Sequence, residues 1–375
     1  MFQSDHVQLL LSLLKGNHEG VRDQFNKRSC DLNGFREFVT RHHLSGYVYL
    51  ILADSPAQQA FPPDFIDYLR SSYTRQRIKI DWMLKELKLL SSTLSSAGQE
   101  FILLKGPYLA KRFYGGIDRR IFWDIDILIR RKDLARAAQL LQQDGFKRTS
   151  RVLIHERLAT HFTHAFDFAK PGLTVDLHWA LGTRPSYDID YEDIWEQRGK
   201  LLLNGESFSV LSDEYSLLFT FISIFRDIEV SKIRLRSFLD LHMILKTIPY
   251  HFDWDGFLEA RKREHLFKIS LNILNLFLRL FACHDEFPDL ARALSHRESS
   301  LVSTDEKTFW KLITHSRLGL AQRMWASRLY EGSRSRLLLW WIVSLPFRRA
   351  VYRSGKLPRL KRFLNRLNRY LGLKG

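Results

Sequence analysis

Two aspartates one residue apart, Asp124 and Asp126, stand in the run Phe122-Trp123-Asp124-Ile125-Asp126-Ile127-Leu128-Ile129, which otherwise reads as a buried β-strand. Side chains alternate along a strand, so the two carboxylates share one face and the isoleucines the other. Setting like charges this close on an apolar strand is costly unless a cation neutralises them. Carboxylate oxygens are the ligands that hard divalent cations take, so the spacing predicts a D-x-D metal site. Further along, Thr174-Val175-Asp176-Leu177-His178-Trp179 repeats the alternation, with Val175, Leu177 and Trp179 on one face and Asp176 and His178 on the other. If this strand lies beside the first, three carboxylates converge.

Upstream, Phe101-Ile102-Leu103-Leu104-Lys105-Gly106 reads as an apolar strand ending in Lys-Gly, followed by a helical stretch from Pro107 to Phe113. A glycine at a strand-to-helix turn lets backbone approach a phosphate, the helix start favours anions, and Lys105 adds a formal charge. Arg119 and Arg120 stand just ahead of the D-x-D. Arg120 is the better placed to meet phosphate oxygens, a role that suits the guanidinium fork. His178 shares the face of Asp176 and has a metal, a phosphate or the aspartate itself as possible partners; with Lys105, Gly106 and Arg120 it completes the phosphate-binding candidates. The histidines His155, His161, His164 and His178 match no closed zinc spacing, and no cysteine stands near them.

These residues need a sheet to hold them. Between 96 and 200, strand and helix signals alternate: strand 100–104, helix 107–113, strand 122–129, helix 131–143, strand 162–168, a Lys170-Pro171-Gly172 turn, and strand 173–179. Residues 1–95 read as helices packed on that core, with a proline-rich break from Asp54 to Pro63. From Leu211 to about 330 the signals are helical again, with Ser212 as an N-cap. The expected organisation is an N-terminal helical region (1–95), a core (96–200), a helical domain (201–330) and a tail (331–375). The fold class is α+β, a small mixed β-sheet core flanked by helical regions.

The 375-residue chain is 45% hydrophobic, enough to bury sizeable cores. Its only cysteines, Cys30 and Cys283, stand far apart, which fits a reducing cytoplasm rather than a disulfide scaffold. The first residues lack the basic and small-residue pattern of a signal peptide, so the mature protein is expected to start near Met1. Apolar runs such as Leu337–Leu345 and Ile269–Cys283 are too short or too polar to span a bilayer. The net charge is +17, and from Ser333 onward there are twelve Lys or Arg and no acid. Within that tail, Leu357–Leu371 sets Leu360, Phe363, Leu364, Leu367 and Tyr370 near one helical face among basic residues. This pattern suits an anionic membrane surface or an RNA backbone, or a helix docked on the protein itself.

The order strand, Leu-Lys-Gly, helix, then Arg120-x-x-x-Asp124-Ile125-Asp126-Ile127-Leu128-Ile129, a helix ending in Asp144-Gly145-Phe146, and Val175-Asp176-Leu177-His178-Trp179 resembles the uncharacterised nucleotidyltransferases of the polymerase-β-type superfamily. The similarity is densest over residues 85–180 and looser up to about residue 265. Where the broader superfamily carries Gly-Ser, Lys105-Gly106 stands here. Many relatives also have a histidine in the helix after the core, and none occurs between Asp213 and Ser231.

The resemblance implies a metal-dependent enzyme that moves a nucleoside monophosphate from an NTP to an unidentified hydroxyl-bearing acceptor. Asp124, Asp126 and Asp176 would hold Mg²⁺ (or Mn²⁺), and Lys105, Gly106 and Arg120 the triphosphate. It also suggests a bacterial source. Two other readings stay open: an RNA- or protein-modifying nucleotidyltransferase, and a non-catalytic nucleotide-binding scaffold at a membrane surface.

Overall fold

A computed structural model describes residues 2–26, 31–149, 160, 163–182, 187–229, 233–249, 251–304, 309–310 and 325–331. The strands are β1 (Ile102–Leu103), β2 (Asp124–Leu128), β3 (Lys147–Arg148), β4 (Ala165–Lys170), β5 (Leu173–His178), β6 (Gly199–Leu203) and β7 (Glu206–Val210). They form one mixed sheet in the order β3-β4-β5-β2-β1-β7-β6. The two aspartate-bearing strands, β2 and β5, lie side by side and parallel, with Asp126 opposite Asp176 and Leu128 opposite His178. A parallel neighbour needs a crossover, supplied by α7 (Leu134–Gln143) and the β3-β4 strands that lead into the β4-β5 hairpin.

Register follows from burial. Ile125, Ile127, Val175 and Leu177 are fully buried on the face away from the carboxylates. Each is worth about 1.5–3 kcal/mol when removed from water. A one-residue slip would exchange these side chains for aspartates, so the apolar face fixes where the acids point.

The sheet continues beyond residue 200. The β6-β7 hairpin turns on Asn204-Gly205, both with positive φ (50° and 83°), the backbone a two-residue type I′ turn requires. β7 pairs in parallel with β1, so this hairpin is part of the core sheet and not of the helices that follow. Strand β1 is shorter than its apolar run because the chain leaves the sheet at Lys105 to begin α6 (Pro107–Phe113).

Ahead of the sheet come α1 (Phe2–Leu14), α2 (His18–Asn26), α3 (Leu32–Arg41) and α4 (Ser45–Ala53). A 3-10 turn at Pro56–Ala60 then leads into the long α5 (Pro63–Ser96), whose start at Pro63 suits proline's fixed φ. Asp31 caps α3 by accepting from the Gly34 amide. This region is tied to the sheet domain: Glu86 of α5 pairs with Lys170 of β4 at 2.7 Å, and Tyr73 and Arg77 both donate to Asp118.

After β7, Ser212 accepts from the Tyr215 amide and opens α9 (Asp213–Glu229); a short α8 (Tyr191–Glu196) precedes β6. Then follow α10 (Leu235–Thr247), α11 (Trp254–Arg263), α12 (Phe267–Phe281) and α13 (Pro288–Ser295). Most of α9 is buried all round, since it is packed against both α10 and α12 while its Lys105 and His178 contacts hold it to the sheet. Among the described residues no helix is long and apolar enough to cross a membrane. The basic tail, including the expected helix Leu357–Leu371, lies outside the described residues.

Candidate metal and nucleotide site

The carboxylates gather on the face of the sheet that α9 covers. Asp124, Asp126 and Asp176 line one small cleft of about 110 Å³, together with Lys105, Gly106 and Arg120. Asp126 and Asp176 are direct cross-strand neighbours. On the far side of Asp176, in register with it, stands Asp167 of β4. Three aspartates therefore run in a row across three strands. Asp167 was not among the sequence candidates, although Phe166-Asp167-Phe168 carries the same alternation, with both phenylalanines buried.

The row has an electrostatic signature. Burial, followed by the charges of Asp126, Asp124 and Asp167, pushes the Asp176 carboxyl up to about 9. Asp124 is raised by burial and by Asp126, and Asp167 chiefly by burial. Burial raises Asp126 as well, but the hydrogen bond from His178 and the charge of Lys105 outweigh it and hold the carboxyl well below the usual range. His178 Nε2 lies 3.1 Å from Asp126 Oδ1. With that carboxylate ionised, Nε2–H donates.

Ligand atoms of Asp126, Asp176 and His178 all lie within 4.8 Å of one another. Donors on one Mg²⁺ sit about 2.1 Å from the ion, so small side-chain shifts would bring the two carboxylates onto one cation. Asp124 lines the same cleft but stands outside this trio. The donor set is dominated by carboxylate oxygen, which fits Mg²⁺ or Mn²⁺, and the His178 contact is that of a group orienting a ligand. The expected D-x-D thus meets its third carboxylate through Asp126 rather than through both members.

Gly106 forms the turn into α6 with φ of 58°. Only glycine adopts that backbone readily, although a Cβ there would meet Phe122 at an ordinary contact distance of 3.4 Å. Lys105 is held rather than free: Nζ donates to Ser223 Oγ at 2.8 Å and lies 4.2 Å from the centre of the Phe219 ring. Burial lowers its pKa, opposed by the charge of Asp126.

Arg120, expected to meet phosphate oxygens, is engaged elsewhere. Its Nε and one terminal nitrogen donate to both oxygens of Asp240, at 2.6 and 2.8 Å, and Tyr114 OH donates to the same carboxylate at 2.7 Å. Arg120 and Asp240 are both almost fully buried. The pair joins the loop before β2 to α10 and takes up the Nε edge of the guanidinium.

Sequence reading missed the helical wall of the cleft. Arg226 and Asp227 of α9, and Arg234 and Arg236 at the start of α10, line it too. No short motif joins them. A roomier cavity of about 420 Å³ opens past the ends of β2 and β5, walled by Trp179, Tyr191 and Trp195, but it contains none of the three aspartates.

The chain matches the family model described as an uncharacterised nucleotidyltransferase over residues 30–282. It belongs to that family. The matched span contains every residue named above as lining the cleft, on both walls. Among solved structures, an antigenic nucleotidyltransferase-like protein from Paracoccidioides brasiliensis is similar at 20% identity and a TM-score of 0.32, covering 60% of this chain and 95% of that one. No curated protein gives a significant match.

Proposed function

We propose that the protein is a metal-dependent nucleotidyltransferase that moves a nucleoside monophosphate from an NTP to a hydroxyl-bearing acceptor. The observation that carries this reading is the in-register pair Asp126 and Asp176 on adjacent parallel strands, where burial and then the neighbouring carboxylates push the Asp176 carboxyl up to about 9. Such crowding is relieved by a cation. Asp126 and Asp176, with Asp124 at the edge of the cleft, are the residues that would hold Mg²⁺ or Mn²⁺, which supplies charge to the phosphate oxygens of an in-line displacement.

The chain's own groups do the rest. His178 fixes the rotamer of Asp126 through its 3.1 Å hydrogen bond. The Gly106 turn brings backbone close to the cleft, and Lys105 adds positive charge beside it, offsetting the negative charge that moves toward pyrophosphate as the acceptor oxygen attacks. Positioning and electrostatics supply the rate enhancement. A cytoplasmic setting, and contact of the basic tail with an anionic membrane or RNA, belong to the same proposal and rest on sequence alone.

The test is to incubate the purified full chain with Mg²⁺ and each labelled NTP against fractions of RNA, protein and small molecules. Transfer of label that disappears in Asp126→Asn supports the reading. Tight Mg²⁺–NTP binding with no transfer to any fraction would favour the scaffold alternative.

A further inference from the structure

With one edge of Arg120 committed to Asp240, two further arginines of the cleft stand beside it without a carboxylate of their own among the described residues. We infer that the triphosphate is gripped by Arg236 and Arg234, at the turn that opens α10, in the same cleft as the carboxylates. This inference rests on the proposed nucleotide reading and assigns the phosphate subsite within it.

Both arginines line the cleft together with Asp124 and Asp126. Arg236 is aimed by one bond, its terminal nitrogen donating to the Ile121 carbonyl at 3.1 Å, while its Nε is buried with no partner. A buried donor without an acceptor is uncommon in a folded protein and marks a place for one. Burial and then the charges of Arg120 and Arg234 lower the Arg236 pKa, opposed by Asp240 and Asp124. An anion relieves that repulsion. Guanidinium groups match phosphate oxygens in pairs, and the α10 N-terminus adds the positive end of its dipole.

The segment is also held in place. The Leu235 amide, between the two arginines, donates to His42 Nδ1 at 3.2 Å. His42 accepts because it is neutral, its pKa lowered to about 3 by burial and by the charge of Arg41. Asp227 lies on the same wall, its carboxyl raised by burial against the charges of Arg226, Lys105, Arg234 and Arg236. By contrast Lys105 already has Ser223 and the Phe219 ring.

Two probes separate this inference from the reading beneath it: inorganic tripolyphosphate without metal, and Mn²⁺ without nucleotide, each titrated into the full chain. Wild type binds both. Arg236→Gln should weaken tripolyphosphate about tenfold or more, the loss expected for a hydrogen bond to a charged group, while Mn²⁺ affinity stays within about twofold. Arg236→Lys, which keeps the charge and loses the fork, should fall between. Should Arg236→Gln fail to fold, Arg234→Gln and Arg236→Lys decide. Unchanged tripolyphosphate affinity in the folded variants overturns the inference and leaves the metal site standing, as does wild type that binds Mn²⁺ alone. Wild type that binds neither probe removes the nucleotide reading as well.

Discussion

The two walls of the cleft are built in different ways. The acidic wall comes from neighbouring strands, where alternation and register alone bring Asp126, Asp176 and Asp167 into a row. The basic wall comes from a strand end, a buried helix and a helix start, drawn together by contacts distant in sequence, such as His42 with Leu235 and Lys105 with Ser223. A wall set by local periodicity tolerates changes around it, whereas a wall set by tertiary contacts depends on each support. Arg120 shows the second case, since it stands beside the acids in sequence yet serves to hold α10 through Asp240.

The acidic wall should be the more costly to break for chemistry. Asp126→Asn or Asp176→Asn is expected to reduce Mg²⁺-dependent transfer by about 10²–10³-fold with the fold retained, as when one main electrostatic stabiliser is removed. Single-turnover assays with circular dichroism as control check this. Equal turnover in both variants would falsify the metal assignment.

The support of the basic wall should be the more costly to break for stability. Asp240→Asn leaves the Arg120 guanidinium buried without its counter-charge, which costs about 3–5 kcal/mol. Urea unfolding reads it directly. Arg120 and its neighbours hold the Asp240 carboxyl below its ordinary range, against the effect of burial. A carboxyl with a lowered folded-state pKa contributes stability that is present at neutral pH and lost as pH falls below about 4 toward the folded value. The variant should therefore lose less stability on acidification than wild type. Parallel acid-unfolding curves would contradict the assignment.

A smaller effect concerns pH and metal. Asp176 is protonated up to about 9 in the metal-free protein. Binding a cation requires its ionised form, so affinity should rise with pH below that value, by up to about tenfold per unit. Mn²⁺ titrations between pH 6 and pH 9 (chosen conditions, about three decades in proton activity) give the slope. Asp176→Asn should flatten it, and a flat wild-type profile would place the metal elsewhere. Smallest of all, Gly106→Ala forces an alanine to a φ of 58° and should cost about 1–2 kcal/mol. An unchanged unfolding midpoint would show that the turn relaxes.

Much of this was legible in sequence for a physical reason. Alternation along 124–128 and 173–178 shows which face is buried, and the buried isoleucines then dictate where the aspartates point. The β6-β7 hairpin was legible too, through Asn204-Gly205 between short strand-like runs, but the expected core stopped at 200 and passed it over. Asp167 had the same parity signal as Asp176 and went unweighed. Arg234 and Arg236 had no signal of their own. Their value depends on a turn held by a histidine in the N-terminal region, which no local pattern encodes.

The central claim is that Asp126 and Asp176 together hold a divalent cation beside a nucleotide. The most direct measurement is the anomalous scattering of Mn²⁺ in crystals of the full chain grown with a non-hydrolysable NTP. The account predicts a peak between the Asp126 and Asp176 carboxylates with phosphate oxygens next to it. A nucleotide bound with no peak at those aspartates would contradict it.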